Sequence, residues 1–165
     1  MRLMLMRHAE TEKGYEKEDF KRLLTDLGKK EAAQAANFLH NYRIDKMLVS
    51  YVKRTMQTSN IISEKVAAEE SEIVSELYDG DENNIINLIA SQEDRHKHLL
   101  LIGHNPLIYN VAMSLANSNS DKYNMLISTS MPTARIIIID FPNMDNWKGI
   151  LTQKGDIIEI FTPSL

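Results

Sequence analysis

The sequence predicts an α/β protein: a three-layer α/β/α sandwich on a mostly parallel central sheet, with one antiparallel strand near the C-terminus. Three observations predict it. Short continuous apolar runs at Leu3–Met6 and Leu99–Ile102, with a second short strand at Lys46–Val49, are as expected of strands buried on both faces. Segments with apolar residues at helical spacing separate them, which is the alternation of βαβ units. The last two runs, Arg135–Asp140 and Asp156–Phe161, are joined by a segment rich in turn residues, which reads as an antiparallel connection.

Each element follows in order. Leu3-Met4-Leu5-Met6 is the first strand, with the two methionines as core filler. The charged, Gly-containing segment from Glu10 to about Arg22 reads as a solvated loop. Thr25 is an N-cap, and Ala32, Ala35, Ala36 and Leu39 repeat at helical spacing, so a helix is predicted to about Asn41. A strand at Lys46–Val49 precedes a helix from about Lys53 to Val66, with Thr58, Ile61, Ile62 and Val66 inward. A third strand is predicted at Glu72–Val74, and a helix at Asn84–Gln92. Leu99–Ile102 ends at Gly103, after which Asn105 is predicted to cap a helix with Pro106 in its first position. Asn117–Pro132, rich in Ser and Asn, reads as a loop with a turn of helix.

Length and composition bound the function. At 165 residues the chain fits one domain spanning 1–165, with no repeat, linker or low-complexity tract. Net charge is −4, against the basic excess of a nucleic-acid binder, so any anion site is a local cluster of basic groups. There is no cysteine, which excludes disulfides, thiolate chemistry and Cys-ligated metals. No apolar run approaches the length of a membrane span or of a signal-peptide core, so the expected location is the cytoplasm and no membrane partner is expected.

The chemistry gathers at strand ends. His8 follows the first strand and His104 follows the Leu99–Ile102 strand, while Arg7 sits beside His8 and Arg54 opens the helix after the second strand. Ligands of open α/β sheets bind beyond the carboxyl ends of strands, so all four side chains can enter one crevice with helix N-termini aimed at it. Arginines make charge-assisted, often bidentate hydrogen bonds to phosphate. A neutral imidazole can attack phosphorus, and a second, protonated one can donate to a phosphoryl oxygen. No carboxylate cluster reads as a magnesium cage, so neither metal nor cofactor is expected. Taken singly, each feature has a bland alternative: Arg-His is a common dipeptide, Gly-His-Asn-Pro can be a turn, and Arg54 can be a surface residue. His40, His96 and His98 read as surface or loop residues.

In combination these segments resemble the histidine phosphatase superfamily, the phosphoglycerate-mutase-like proteins. Leu5-Met6-Arg7-His8-Ala9-Glu10 is similar to that family's opening motif, and Ile102-Gly103-His104-Asn105-Pro106 to its second-histidine motif. Val49-Ser50-Tyr51-Val52-Lys53-Arg54-Thr55-Met56-Gln57-Thr58 resembles its Ser-Pro-x-x-Arg-x-x-Gln-Thr segment, with Tyr51 in place of proline. Arg22-Leu23-Leu24-Thr25-Asp26-Leu27-Gly28 resembles the Arg-x-Leu-Thr-x-x-Gly of the short bacterial SixA-type phosphohistidine phosphatases. The resemblance implies a phosphoglycerate-mutase-like fold, His8 as nucleophile, and Arg7, Arg54, His104 and Arg22 as phosphate-binding groups. It also implies a general acid after a Leu-x-Glu-like pattern, for which Val74-Ser75-Glu76-Leu77 makes Glu76 the candidate, with Asp79 behind it. Both can equally be surface carboxylates.

The expected function is therefore metal-independent phosphatase chemistry through a phosphohistidine. The expected partner is a phosphorylated protein, a histidine phosphotransfer domain or phosphocarrier. The stretch between Arg54 and His104 leaves no room for a large lid, which favours bulky substrates. The alternatives are a small-molecule phosphomonoesterase or mutase of the same superfamily, and a non-catalytic phosphoprotein-binding module.

Overall fold

The computed structural model describes residues 1–14 and 16–164; Tyr15, inside the segment read as a loop, and Leu165 lie outside the described residues. Six strands form the sheet: β1 Arg2–Arg7, β2 Ile44–Val49, β3 Ala68–Ile73, β4 His98–Gly103, β5 Ile136–Asp140 and β6 Asp156–Phe161. Their order is β3-β2-β4-β1-β5-β6, in which β5 runs antiparallel to both β1 and β6 and the β3-β2-β4-β1 portion is parallel. The helices are α1 Asp26–Leu39, α2 Lys53–Ser63, α3 Glu76–Asp79, α4 Glu82–Ala90, α5 Leu107–Leu115 and α6 Asp121–Ser128. Two 3-10 helices cover Glu16–Lys21 and Trp147–Leu151.

The period of two along β1 creates two cores. Leu3 and Leu5 join α4, α5 and α6 on one face, while Met4 and Met6 join α1 and α2 on the other. All four are fully buried, and burying each contributes about 1.5–3 kcal/mol. Right-handed crossovers explain the division. From β1 the chain steps outward through α1 and α2 to β2 and β3, then returns through α3 and α4 to β4 on the opposite face. The direction of travel reverses beside β1 and β4, so their exit loops lead to opposite faces and open a crevice between them.

The predicted helix register is preserved, with shifts at the ends. Thr25 caps α1 by accepting from the Gly28 amide, 3.1 Å. The opening of α4 falls earlier than the apolar pattern alone suggested, because Asp81 and Asn84 form a reciprocal capping box. Asn105 does not cap α5. Pro106 takes the cap position in a helical conformation, the Ile108 amide reaches back to the His104 carbonyl at 2.9 Å, and Asn105 lines a cavity instead. In the Ser/Asn-rich stretch, Ser120 caps the two-turn α6 through the Tyr123 amide. His96 corrects its reading as a surface or loop residue: it is wholly buried, and its carbonyl accepts the Trp147 indole N–H at 2.7 Å. Among the described residues, no helix is long and apolar enough to cross a membrane.

Candidate active site

Parallel pairing of β1 with β4 sets Arg7 opposite Gly103, so the next residues, His8 and His104, leave the sheet side by side. Their rings lie 5.3 Å apart, centroid to centroid, at 55°. A cavity of about 530 Å³ opens there, lined by both histidines, Arg7, Arg22, Arg54 and Asp19, with Tyr78 and Asn105. The five basic side chains expected from the sequence are thus in one place. Arg54 is only 4% exposed, which excludes the reading of a surface arginine.

Local structure fixes each group. His8 is 6% exposed, and its Nδ1 lies 2.7 Å from the Ala9 carbonyl oxygen. A carbonyl only accepts, so Nδ1 carries the proton and the lone pair is left on Nε2. The next amide, Ala9, donates to the Thr58 hydroxyl at 3.1 Å, and that hydroxyl donates to the Arg54 carbonyl at 2.8 Å. The loop after β1 is thereby tied to the first turns of α2. Gly28 lets this loop pass over α1: a Cβ there would stand 1.9 Å from the Glu10 carbonyl oxygen. His104 Nε2 pairs with the Ser50 hydroxyl at 2.9 Å.

The basic groups keep unspent hydrogen-bonding capacity. Among the described residues, the buried side-chain polar atoms without a hydrogen-bond partner are Arg7 Nε, Arg54 Nε, His104 Nδ1 and both ring nitrogens of His96. Three of these five belong to this cavity. Orphaned buried polar atoms are costly, and these three sit on residues that line the cavity. Arg7 is otherwise anchored on the Met131 carbonyl at 2.7 Å.

Burial, reinforced by Arg54 and Arg7, lowers the His8 pKa to about 3; burial, then His8 and Arg54, lowers His104 to about 3. Both imidazoles are neutral at neutral pH. A neutral imidazole keeps a free lone pair, and a nearby dianion would favour the protonated form of either ring. In the unfolded chain both titrate near 6.5. Between that value and about 3 the unfolded state binds protons that the folded state refuses, so stability falls as the solution is acidified. Urea melts should show a loss of up to about 1.4 kcal/mol per pH unit for each histidine, and His8→Gln should flatten the slope. Equal slopes for the two proteins would refute this account.

Glu76 and Asp79 are not among the residues that line the cavity. Glu76 is exposed at the start of α3, 3.4 Å from the Ser75 hydroxyl, and Asp79 accepts from the Tyr51 hydroxyl, also at 3.4 Å. Carboxylates that do line it are Glu10 and Asp19. Sequence reasoning missed Asp19 and Tyr78. Asp19 stands three residues before Arg22, the spacing of a local ion pair, and that was its available signal. Nothing local distinguishes Tyr78, which meets the His104 ring edge-on at 5.3 Å. Among the described residues, no group of three or more His, Asp or Glu is arranged to hold a metal ion.

Comparison with known proteins adds the following. The model of the histidine phosphatase superfamily, branch 1, matches residues 3–98. An uncharacterised protein of Mycobacterium leprae is 26% identical over 166 residues, covering 96% of this chain and 99% of that protein. A protein of Nakamurella multipartitia assigned as phosphohistidine phosphatase SixA superposes with a TM-score of 0.86 at 22% identity, covering 99% of this chain and 96% of that one. The protein histidine phosphatase SixA complexed with tungstate gives 0.78 at 22% identity, covering 98% and 97%. A mycobacterial glucosyl-3-phosphoglycerate phosphatase shares the fold more distantly, with 0.65 at 14% identity and 99% of both chains covered.

Proposed function

Because the chain belongs to the histidine phosphatase superfamily, branch 1, we propose that it hydrolyses phosphate through a covalent phosphohistidine on His8, and that its substrate is phosphohistidine on a phosphotransfer domain or phosphocarrier protein. One observation carries the mechanism: His8, with Nδ1 committed to the Ala9 carbonyl, stands beside His104 in a cavity walled by Arg7, Arg22 and Arg54. The Nε2 lone pair forms a bond to phosphorus while the bond from phosphorus to the leaving atom breaks. The positive charge that develops on the ring is stabilised through Nδ1–H and the Ala9 oxygen. Guanidinium groups and His104 hold the equatorial oxygens, the role metal ions fill in other phosphoryl-transfer sites. Water then attacks phosphorus, the P–N bond breaks, and inorganic phosphate leaves with His8 restored.

The substrate class is supported by the short chain between Arg54 and His104, which beyond α2 and its strands holds only the short helices α3 and α4, and by the SixA proteins that share the fold. A phosphorylated imidazole also leaves readily once protonated, which suits a cavity whose lining lacks Glu76 and Asp79. The test compares kcat/KM for a histidine-phosphorylated carrier protein with that for small sugar phosphates, both in excess EDTA. The carrier is expected to be the better substrate, with no loss of rate to the chelator. Preference for a metabolite would favour a small-molecule phosphomonoesterase, and dependence on added magnesium or manganese would refute the metal-independent route.

A further inference from the structure

One carboxylate joins the cationic wall of the cavity. Asp19, on the 3-10 helix Glu16–Lys21, accepts from Arg22 Nη1 at 2.9 Å on one oxygen, and from Arg54 Nη2 at 2.8 Å and the Tyr78 hydroxyl at 2.9 Å on the other. Its backbone carbonyl accepts from Arg54 Nη1 at 2.6 Å. Three chain segments, the turn before α1, the start of α2 and the short α3, thus meet at one residue.

The dependence is unequal. Arg22 has other anchors, donating from Nε to the Glu12 carbonyl at 2.8 Å and from Nη2 to the Thr11 hydroxyl at 2.5 Å. Among the described residues, Arg54 makes its side-chain hydrogen bonds to Asp19 alone. A buried guanidinium held by one partner loses its orientation with that partner. Burial by itself would raise the Asp19 carboxyl, but the donors Arg22, Arg54 and Tyr78 outweigh it and hold the pKa at about 2. The carboxylate is consequently charged throughout the neutral range, in direct contact with arginines that an incoming phosphoryl group must also use. A second anion on the same guanidinium is repelled by the first.

We propose that Asp19 is a positioning residue with two linked effects: it holds Arg54 in register for the transferring phosphoryl group, and its charge weakens the pocket's hold on inorganic phosphate, so that product departs. This rests on the phosphatase reading above. It accounts for a carboxylate at the centre of an anion site, where it opposes binding of the ground state. Tight retention of product would slow turnover, whereas orientation of Arg54 serves the transition state.

The experiment pairs calorimetric binding of inorganic phosphate with turnover of an aryl phosphate, for the wild type, Asp19→Asn and Asp19→Glu. Asparagine keeps the shape and one acceptor oxygen but removes the charge. Phosphate should bind Asp19→Asn about tenfold more tightly, while kcat falls about 10- to 100-fold and the melting temperature falls modestly. Asp19→Glu restores the charge on a longer stem, so phosphate affinity should return to the wild-type value while kcat stays reduced. Weaker phosphate binding by a folded Asp19→Asn, or unchanged kcat, would overturn the proposal. So would tightened binding in Asp19→Glu, which holds the test open if the asparagine variant fails to fold. Binding requires no turnover, so a wild type that binds phosphate but hydrolyses nothing refutes the phosphatase reading and leaves the charge effect measurable. A wild type that does not bind phosphate overturns both.

Discussion

His8→Ala should abolish turnover and leave the protein folded. The side chain lies at the end of β1 in the wall of a cavity, and its recorded hydrogen bond is to the adjacent Ala9 carbonyl, so its removal breaks no tie between distant elements. It also removes a buried imidazole that resists protonation, and below about pH 6 the variant should melt no lower than the wild type. Without the Nε2 lone pair no P–N bond forms, and kcat should fall by about four to six orders of magnitude, the scale seen when a covalent nucleophile is deleted. Phosphate should still bind, because Arg7, Arg54 and His104 remain. Acid quenching of the wild type during turnover should trap phosphate that is labile in acid and stable in alkali, and the variant should trap none. Substantial activity in a folded His8→Ala protein would exclude His8 as nucleophile and direct attention to His104.

Arg54→Ala should produce the complementary pattern. His8 remains able to attack, but the guanidinium that stabilises the transferring group is gone. A loss of about 100- to 1,000-fold in kcat is expected for one such donor, with weakened phosphate binding as well. Arg54 also ties α2 to the 3-10 helix at Asp19, so a modest fall in melting temperature is expected, unlike His8→Ala. Arg54→Lys separates charge from geometry. An ammonium restores part of the phosphate affinity but lacks the planar fork, so the rate should stay low. Full activity in either variant would remove Arg54 from the mechanism. Phosphate binding lost in His8→Ala but kept in Arg54→Ala would invert the assignment of roles.

What the sequence determined by itself is whatever is recorded locally. Leu3-Met4-Leu5-Met6 and Leu99–Ile102 announce buried strands, because a strand covered on both faces must be apolar at every position. Ala32, Ala35, Ala36 and Leu39 announce α1, because one helical face must meet the sheet. Alternation of the two patterns implies parallel strands, and parallel strands put His8, Arg54 and His104 at the same edge. That edge follows from chain direction and needs no knowledge of side-chain contacts.

Tertiary structure decided what depends on partners distant in the chain. Asp19 lies in a charged segment with the composition of a solvated loop, and only the folding of α2 and α3 against it brings Arg54 and Tyr78, 35 and 59 residues away, to its oxygens. His96 has charged neighbours on both sides, yet the Trp147 indole closes over its backbone from 51 residues away. Glu76 matched a sequence pattern, but α3 presents it to solvent while Tyr78, two residues on, lines the cavity. A hydrophobic period reports which face of an element is buried. It carries no record of which distant group completes a hydrogen bond, and a polar site consists of such bonds.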